Sequence, residues 1–123
     1  MKEIIAIIRP NKVGHTKDAL DKLGFPSITA IPVLGRGRQR GIAGEINVDI
    51  KPEILAQGRS GGMKYIPKRM MLMIVCSADV DLVVKTIMKI NQTAHIGDGK
   101  IFICPVENAV RVRTSEEGEV AVK

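Results

Sequence analysis

The chain has 123 residues, which is enough for one domain, because each half of a divided chain would bury too little apolar surface to fold alone. Hydrophobic residues make up 45% of the chain and aromatic residues only 2%, so the core must be packed from aliphatic side chains, which favours strands. The net charge of +6 indicates anionic partners, but the scarcity of aromatic side chains that could stack on bases argues against nucleic acid.

The N-terminus and the two cysteines show no sign of export. The first residues lack the long apolar region and the cleavage site of a signal peptide, and no apolar run reaches membrane-spanning length. Cys76 and Cys104 lie far apart in apolar runs, without a Cys-x-x-Cys pair or a nearby His, which predicts core thiols. We therefore expect a cytoplasmic protein with no membrane insertion.

The first half of the chain predicts a strand, a helix, a strand and a long loop. The first strand covers residues 4–8 and is closed by Arg9-Pro10, and the helix covers residues 12–23 and ends at Gly24. Pro32 lies inside the second strand, residues 27–34, and indicates an edge position or a bulge. Residues 35–66 are rich in glycine and scattered charges, and a loop of about 30 residues in a compact domain is usually functional.

The second half predicts a strand, a helix, a strand and a tail. The strand covers residues 69–76, and the helix, with Ser77 or Asp79 as its N-cap, runs to about Asn91. A fourth strand covers residues 100–106 and a short extended segment residues 109–114. The element order predicts the α+β, ferredoxin-like βαββαβ sandwich, with a domain over 1–114 and a flexible C-terminal tail over 115–123.

The predicted fold leaves one face of the sheet without cover. Two helices can cover only one face of a four-stranded sheet, yet the strands are apolar at both alternating sets of positions. Since the sequence offers no further helix, we expect another copy of the chain to cover the second face, with the sheets of an oligomer facing inward.

Three basic or glycine-rich segments could bind an anion. Residues 35–41 alternate glycines and arginines, residues 96–102 place a glycine turn before Lys100, and Arg111-Val112-Arg113 puts two guanidinium groups on one side of an extended chain. Glycines let main-chain N–H groups approach phosphate, and arginine and lysine supply donors and charge. Each segment also has an alternative without a ligand. Residues 35–41 could be a solvated basic turn, residues 96–102 an ordinary helix-to-strand turn, and the arginines of 111–113 could serve only to keep the surface soluble.

These segments, together with residues 1–10, Pro67-Lys68, 93–102 and 111–114, resemble the PII (GlnB-like) family of nitrogen-regulatory signal-transduction proteins over nearly the whole chain. The resemblance implies a trimer that binds ATP or ADP between neighbouring subunits, and a T-loop, residues 36–67, that docks on targets. The cofactor-binding residues that it implies on the phosphate side are Gly35, Gly37, Arg38, Gly97, Asp98, Gly99 and Lys100. The neighbour would supply Arg111 and Arg113, and Ile7, Thr29 and Ile74 would border the adenine.

The resemblance also implies a metabolite site beside the nucleotide. Gln39 matches the glutamine that completes Mg²⁺ coordination when 2-oxoglutarate chelates the metal, and Lys68 matches the lysine that pairs with the distal carboxylate of 2-oxoglutarate. Because a hard cation prefers such oxygen ligands, metabolite binding should depend on MgATP.

The T-loop departs from that of common bacterial members of the family. It is longer and has no tyrosine at the modification position, because Tyr65 lies at the loop base. The long loop resembles that of the PII-like regulators associated with nitrogen fixation (NifI type), which act as a pair of paralogues that bind nitrogenase. We therefore expect a homotrimer or a hetero-oligomer with a paralogue that controls nitrogenase and is not an enzyme. Control of glutamine synthetase or an ammonium transporter stays open, and a phosphate-cleaving enzyme is the alternative from another class.

Overall fold

The computed structural model describes residues 1–37 and 65–123. Arg38, Gln39 and most of the predicted T-loop lie outside the described residues. The described part contains four strands and three α-helices, with short 3₁₀ turns before the first two helices. In chain order they are β1 (Lys2–Ile8), α1 (Val13–Lys22), β2 (Thr29–Arg36), β3 (Tyr65–Val75), α2 (Val80–Asn91), β4 (Lys100–Pro105) and α3 (Glu119–Val122).

The four strands form one antiparallel sheet in the order β2-β3-β1-β4. This order and the two helices on one face confirm the predicted ferredoxin-like fold. The edge position predicted from Pro32 is also confirmed, because β2 is an outer strand of the described sheet and pairs there with β3 alone. None of the helices in the described part combines the length and the apolar character needed to cross a membrane.

The core lies between the sheet and the two long helices. In β1, alternate residues are buried because they face the helices, and β3 contributes its own alternating set to the same layer. The buried residues of this cluster are Ile4, Ala6, Ile8, Leu20, Met71, Met73, Val75, Val83 and Ile87. Burying each large aliphatic side chain stabilises the fold by roughly 1.5–3 kcal/mol. Helix α2 packs through apolar residues spaced at three to four positions, since Val83 and Ile87 are buried and Val80 and Val84 pack against the cluster.

A polar pair joins α1 to α2 inside this apolar core. The Thr16 hydroxyl, fully buried, donates to the carbonyl oxygen of Lys12 at 2.7 Å and accepts from Asn91 Nδ2 at 3.0 Å. The same nitrogen of Asn91 donates to the carbonyl oxygen of Ile87 at 2.8 Å. Asn91 Oδ1 is buried and has no hydrogen-bond partner among the described residues.

The opposite face of the sheet is apolar, and no helix from residues 1–37 or 65–123 packs against it. Ile5, Ile7 and Leu72 are only half-buried there, although they lie on the two central strands. Ile31 and Phe102, on the outer strands, are 40% and 46% exposed. This surface, called the open face below, is the one for which the sequence predicts cover by another copy of the chain, and that assembly stays a prediction.

Two boundaries differ from the predicted ones around the long loop. Strand β3 begins at Tyr65, four positions before the predicted start, and β2 continues to Arg36. The two end residues pair across the strands, and Arg36 Cζ lies 5.9 Å from the centre of the Tyr65 ring. The ends of the predicted T-loop, residues 36 and 65–67, therefore belong to strands.

The predicted extended segment over 109–114 is wrong. Val110 makes one isolated bridge to Glu117, and residues 112–114 form a turn in which the carbonyl oxygen of Arg111 accepts from the N–H groups of Thr114 and Ser115. Beyond the turn, the predicted tail contains α3, which no apolar pattern indicated. Whether residues 115–123 are flexible stays a prediction.

The structure also tests the predictions for the helix ends and describes the two cysteines. Gly24 has a φ of 91°, as expected for a glycine that ends a helix. Asp79 is at the N-cap of α2 as predicted, but its side chain makes no capping hydrogen bond. Cys76 is buried and Cys104 half-buried, and both thiols are free.

Candidate functional site

Gly99 fixes the start of β4 against β1. A Cβ atom at this position would lie 2.0 Å from the carbonyl oxygen of Ile7, and the backbone φ is +115°. No other residue fits there without moving the backbone, since both the space and the conformation favour glycine. The close approach brings Lys100 into register with Ile7, on the open face. Glycine was predicted here for approach to a phosphate, and the structure shows that the fold itself requires it.

Asp98 holds the segment that leads into Gly99. Its carboxylate accepts from Arg9 Nη1 at 2.5 Å, from the N–H groups of Thr93 at 2.6 Å and Ala94 at 3.0 Å, and from the Thr93 hydroxyl. Arg9 also donates to the carbonyl oxygen of Ile96 at 3.1 Å. The sequence prediction missed Arg9, and its only signal was a charged residue directly after a buried strand.

The surroundings of Asp98 keep its carboxyl group ionised. Desolvation raises the pKa of Asp98, but the hydrogen bonds from Thr93 and Arg9, with the positive charge of Arg9, outweigh it and hold the pKa well below its usual range. Both carboxylate oxygens accept bonds from the chain itself. A ligand contact at Asp98, as predicted, would therefore have to come from its main chain.

Lys68 joins the base of the long loop to the glycine turn. The residue is buried, and its Nζ donates to the carbonyl oxygen of Gly97 at 2.5 Å. Gly35 lies against it, because a Cβ atom at Gly35 would be 3.3 Å from Lys68 Cγ. Three predicted site residues from three separate segments thus meet at one place.

Lys100 gives this place its exposed positive charge. The side chain is exposed, and no hydrogen bond or ion pair links it to another described residue. We call the group formed by Ile7, Gly35, Lys68, Gly97, Gly99 and Lys100 the glycine corner. An exposed ammonium group beside a glycine turn can bind a phosphate or a carboxylate. The described residues contain no cluster of three or more His, Cys, Asp or Glu side chains that could hold a metal ion.

Three other predicted site residues lie elsewhere. Thr29, Ile74 and Arg111 line an open cleft of about 600 Å³, and the end of the chain, residues 121–123, lines it with them. We call this the C-terminal cleft. Glu3, Ser27 and the neighbouring strand residues complete its wall.

Arg111 does not project freely from this cleft. Its Nη1 donates to Glu116 Oε1 at 2.8 Å, and its Nη2 donates to the carbonyl oxygens of Val120 at 2.8 Å and Lys123 at 2.9 Å. Arg113 is exposed at the turn, beside Val112, which is 97% exposed. The sequence predicted that the two arginines share one side of an extended strand. This prediction is wrong, because the chain turns between them.

The glycine corner and the C-terminal cleft are separated on the open face. Ile7 pairs with Met70, whereas Ile74 pairs with Glu3, so the two isoleucines lie four positions apart along paired strands. At about 3.3 Å per residue, this is a separation of about 13 Å. One copy of the chain therefore does not bring all the predicted residues together. Gly37 is exposed just after β2, and Arg38 and Gln39 lie outside the described residues.

The sequence and the fold both have known relatives. Residues 1–116 match the family model described as Nitrogen regulatory protein P-II. The Nitrogen fixation nifHD1 region GlnB-like protein 2 of Methanosarcina barkeri is 58% identical over 123 residues, 100% of both chains. The Nitrogen fixation nifHD region GlnB-like protein 1 of Methanothermobacter marburgensis is 50% identical over 119 residues, 96% of this chain and 99% of that protein.

A solved structure shares the fold. The crystal structure of Arabidopsis thaliana PII bound to citrate aligns with a TM-score of 0.73 and 31% identity, over 99% of this chain and 89% of that chain. The names of both relatives refer to a nitrogen-fixation region, in agreement with the predicted type. The chain therefore belongs to the nitrogen regulatory protein P-II family of signal proteins.

Proposed function

We propose that this protein senses ATP, ADP and 2-oxoglutarate and controls nitrogenase by direct binding through the T-loop. The observation that carries the proposal is the division of the predicted nucleotide site into two halves on one apolar face. The glycine corner offers glycines and the exposed ammonium group of Lys100, and the C-terminal cleft offers Arg111. Two copies that cover each other's open faces can join the corner of one to the cleft of the next.

The open face supports assembly into an oligomer. Half-buried side chains such as Ile5 and Leu72, and the exposed Phe102, would leave water when a second and third copy pack against them. We propose a trimer, formed by one chain or shared with a paralogue. The two kinds of relative, named GlnB-like protein 1 and GlnB-like protein 2, support the mixed form.

In this assembly the nucleotide lies at the seam between two copies. The triphosphate would approach the main chain of Gly35, Gly37, Gly97 and Gly99, while Lys100 and Arg38 supply charge. The neighbour would add Arg111 and Arg113, and the adenine would lie against Ile7 of one copy and Thr29 and Ile74 of the other. The separation of Ile7 from Ile74 supports this division between copies.

The described residues could supply few of the ligands of a bound Mg²⁺. They provide no carboxylate cluster, so phosphate and metabolite oxygens would have to supply most of the ligands, with Gln39 completing them. The ion supplies a hard positive charge that joins phosphate to keto acid. Lys68 already donates to a carbonyl oxygen in the glycine corner, and we propose that it also receives the distal carboxylate of 2-oxoglutarate.

Calorimetric titration of 2-oxoglutarate tests this function. We expect binding with MgATP, much weaker binding with ADP, which lacks the γ-phosphate, and none without nucleotide. Gln39→Ala should abolish metabolite binding but leave ATP binding in place, and Gln92→Ala, at an exposed glutamine whose side chain is not among the proposed ligand contacts, is the matched control. Equal 2-oxoglutarate binding in all these conditions would refute the metal-bridged mechanism.

The target is tested separately. We expect the ligand-free and ADP-bound protein to retain nitrogenase in a pull-down and to release it with MgATP and 2-oxoglutarate. The nitrogen-fixation names of the relatives favour this target, which implies a cytoplasmic location. Retention of glutamine synthetase or an ammonium transporter in its place would support the alternative, and steady ATP turnover at ordinary enzyme rates would contradict a purely regulatory role.

A further inference from the structure

Arg111 is held by the chain's own C-terminal residues. Of its five N–H donors, one on Nη1 binds Glu116 and both on Nη2 bind carbonyl oxygens, those of Val120 and Lys123. The guanidinium group is thus surrounded by a carboxylate and two carbonyls in the cleft where the proposed function needs it to meet phosphate.

These bonds conflict with a two-point bond to phosphate. A guanidinium group binds an oxyanion through two parallel N–H groups, which come either from Nε and Nη2 or from Nη1 and Nη2. Both arrangements use Nη2, whose two hydrogens are already engaged. The carboxylate of Glu116 also offsets the charge of Arg111 and repels an approaching phosphate.

The segment that makes these bonds depends on one unusual backbone position. Gly118 has φ 76° and ψ −151°, a conformation available almost only to glycine. Its N–H group donates to the carbonyl oxygen of Ala109 at 3.0 Å, and its own carbonyl oxygen accepts from Ala121 at 3.0 Å. This turn directs α3 back to Arg111.

The same segment buries none of its apolar side chains completely. Ala121 and Val122 are half-buried, and Val120 is 54% exposed. Short polar contacts of this kind open at low free energy compared with the core. The segment can therefore leave Arg111 without unfolding the sheet.

We propose that residues 116–123 form a latch, which withholds Arg111 from the phosphate groups of a nucleotide and is displaced when the nucleotide binds. The latch rests on the nucleotide site proposed above. It lowers the apparent affinity in proportion to the latched fraction, and nucleotide binding exposes the C-terminal residues. Because of the latch, nucleotide binding would change the exposure of residues 116–123, which form a surface distinct from the T-loop.

Gly118→Ala in the full chain tests the latch. Among residues 1–37 and 65–123, a Cβ atom at Gly118 meets no atom within 4 Å, so the substitution acts through the backbone conformation. We expect it to release the latch and to tighten ATP and ADP binding by about three- to tenfold in calorimetry. Gly14→Ala is the control, because Gly14 also has space for a Cβ atom but lies in α1 without a positive φ.

Glu116→Gln gives a second, milder test. It removes the competing charge and keeps the shape of the side chain, so we expect binding to tighten by about two- to threefold. Glu107→Gln, at an exposed glutamate outside the latch, should leave the affinity unchanged. Hydrogen exchange of the amides of residues 116–123 should increase when ADP or MgATP binds the unsubstituted protein.

The outcomes separate the latch from the proposed function. If neither the unsubstituted protein nor the Gly118 variant binds nucleotide, both are overturned. If the unsubstituted protein binds nucleotide but the Gly118 and Glu116 variants bind with the same or lower affinity, the latch is rejected and the nucleotide site stands. Nucleotide binding without any change in exchange over residues 116–123 also rejects the latch.

Discussion

The glycine corner and the C-terminal cleft hold their main cations in opposite ways. The ammonium group of Lys100 is exposed and is bound to no other described residue, whereas the guanidinium group of Arg111 makes three hydrogen bonds inside the chain. An anion can reach the first at once and must displace protein groups from the second. Residue type alone therefore does not determine whether a basic side chain is available to a ligand.

The two regions also differ in how they are held. The glycine corner is fixed by the sheet, by the contact of Gly99 with Ile7, and by the hydrogen bonds of Asp98 to Arg9 and its neighbours. The C-terminal cleft is closed by a short segment in which no side chain is completely buried. Substitutions in the corner should therefore reduce stability, while those in the cleft should mainly change binding.

Gly99→Ala should have the largest effect. Its Cβ atom would meet the carbonyl oxygen of Ile7, and the positive φ adds strain, so we expect a loss of more than about 3 kcal/mol of unfolding free energy. Urea unfolding measures the change. Gly37→Ala is the matched control, because a Cβ atom there meets no atom of the described residues within 4 Å, and the stability of this variant should be unchanged. A Gly99→Ala protein as stable as the parent would show that the corner is not rigid.

Asp98→Asn should have an intermediate, pH-dependent effect. At pH 7 we expect a loss of about 1–3 kcal/mol, because the amide cannot replace the carboxylate toward Arg9 and Thr93. The pKa of Asp98 is lower in the folded chain, so this stabilisation is complete above the unfolded value of about 3.9 and is lost as the pH falls toward the folded value.

Urea unfolding of parent and variant at several pH values checks this prediction. The difference between the two proteins should be constant above about pH 5 and shrink below about pH 4. Asp18→Asn, at an exposed position in α1, serves as the control. A difference that does not change with pH would mean that charge is not what holds the corner.

Arg111→Gln should have the smallest effect on stability. Its ion pair with Glu116 is partly exposed, with 27% and 40% of the side chains accessible, so we expect a loss below about 1 kcal/mol. Nucleotide affinity should nevertheless fall at least about tenfold, if the arginine meets phosphate as proposed. Unfolding and calorimetry on the same sample separate the two effects. A stability loss as large as that of Gly99→Ala would remove the contrast between the regions.

The sequence predicted the elements whose signals are local. Strand β1 follows from a continuous apolar run that a proline ends, and helix α2 from apolar residues spaced at three to four positions; Gly24 and Pro32 marked a helix end and an edge strand. The glycine turn before Lys100 was also evident. In each case the residues that determine the local structure lie within a few positions of it in the sequence.

The sequence did not predict two features, and the physical reasons differ. Arg9 and Asp98 are 89 positions apart, so only the fold reveals that the carboxylate is engaged by the arginine. The spacing of Arg111 and Arg113 predicted an extended segment, but the N–H groups of Thr114 and Ser115 donate to the carbonyl oxygen of Arg111 and turn the chain. The first feature depends on tertiary contacts, and the second is a local turn that the residue pattern did not indicate.

The polar pair between α1 and α2 bears on how uniquely this chain folds. Its core consists of aliphatic side chains, whose contacts are not directional and so discriminate weakly between neighbouring arrangements of the helices. A shift to such an arrangement would part Asn91 from Thr16 and leave a second set of buried polar atoms unsatisfied. The pair thus widens the energy gap between the native packing and its nearest competitors.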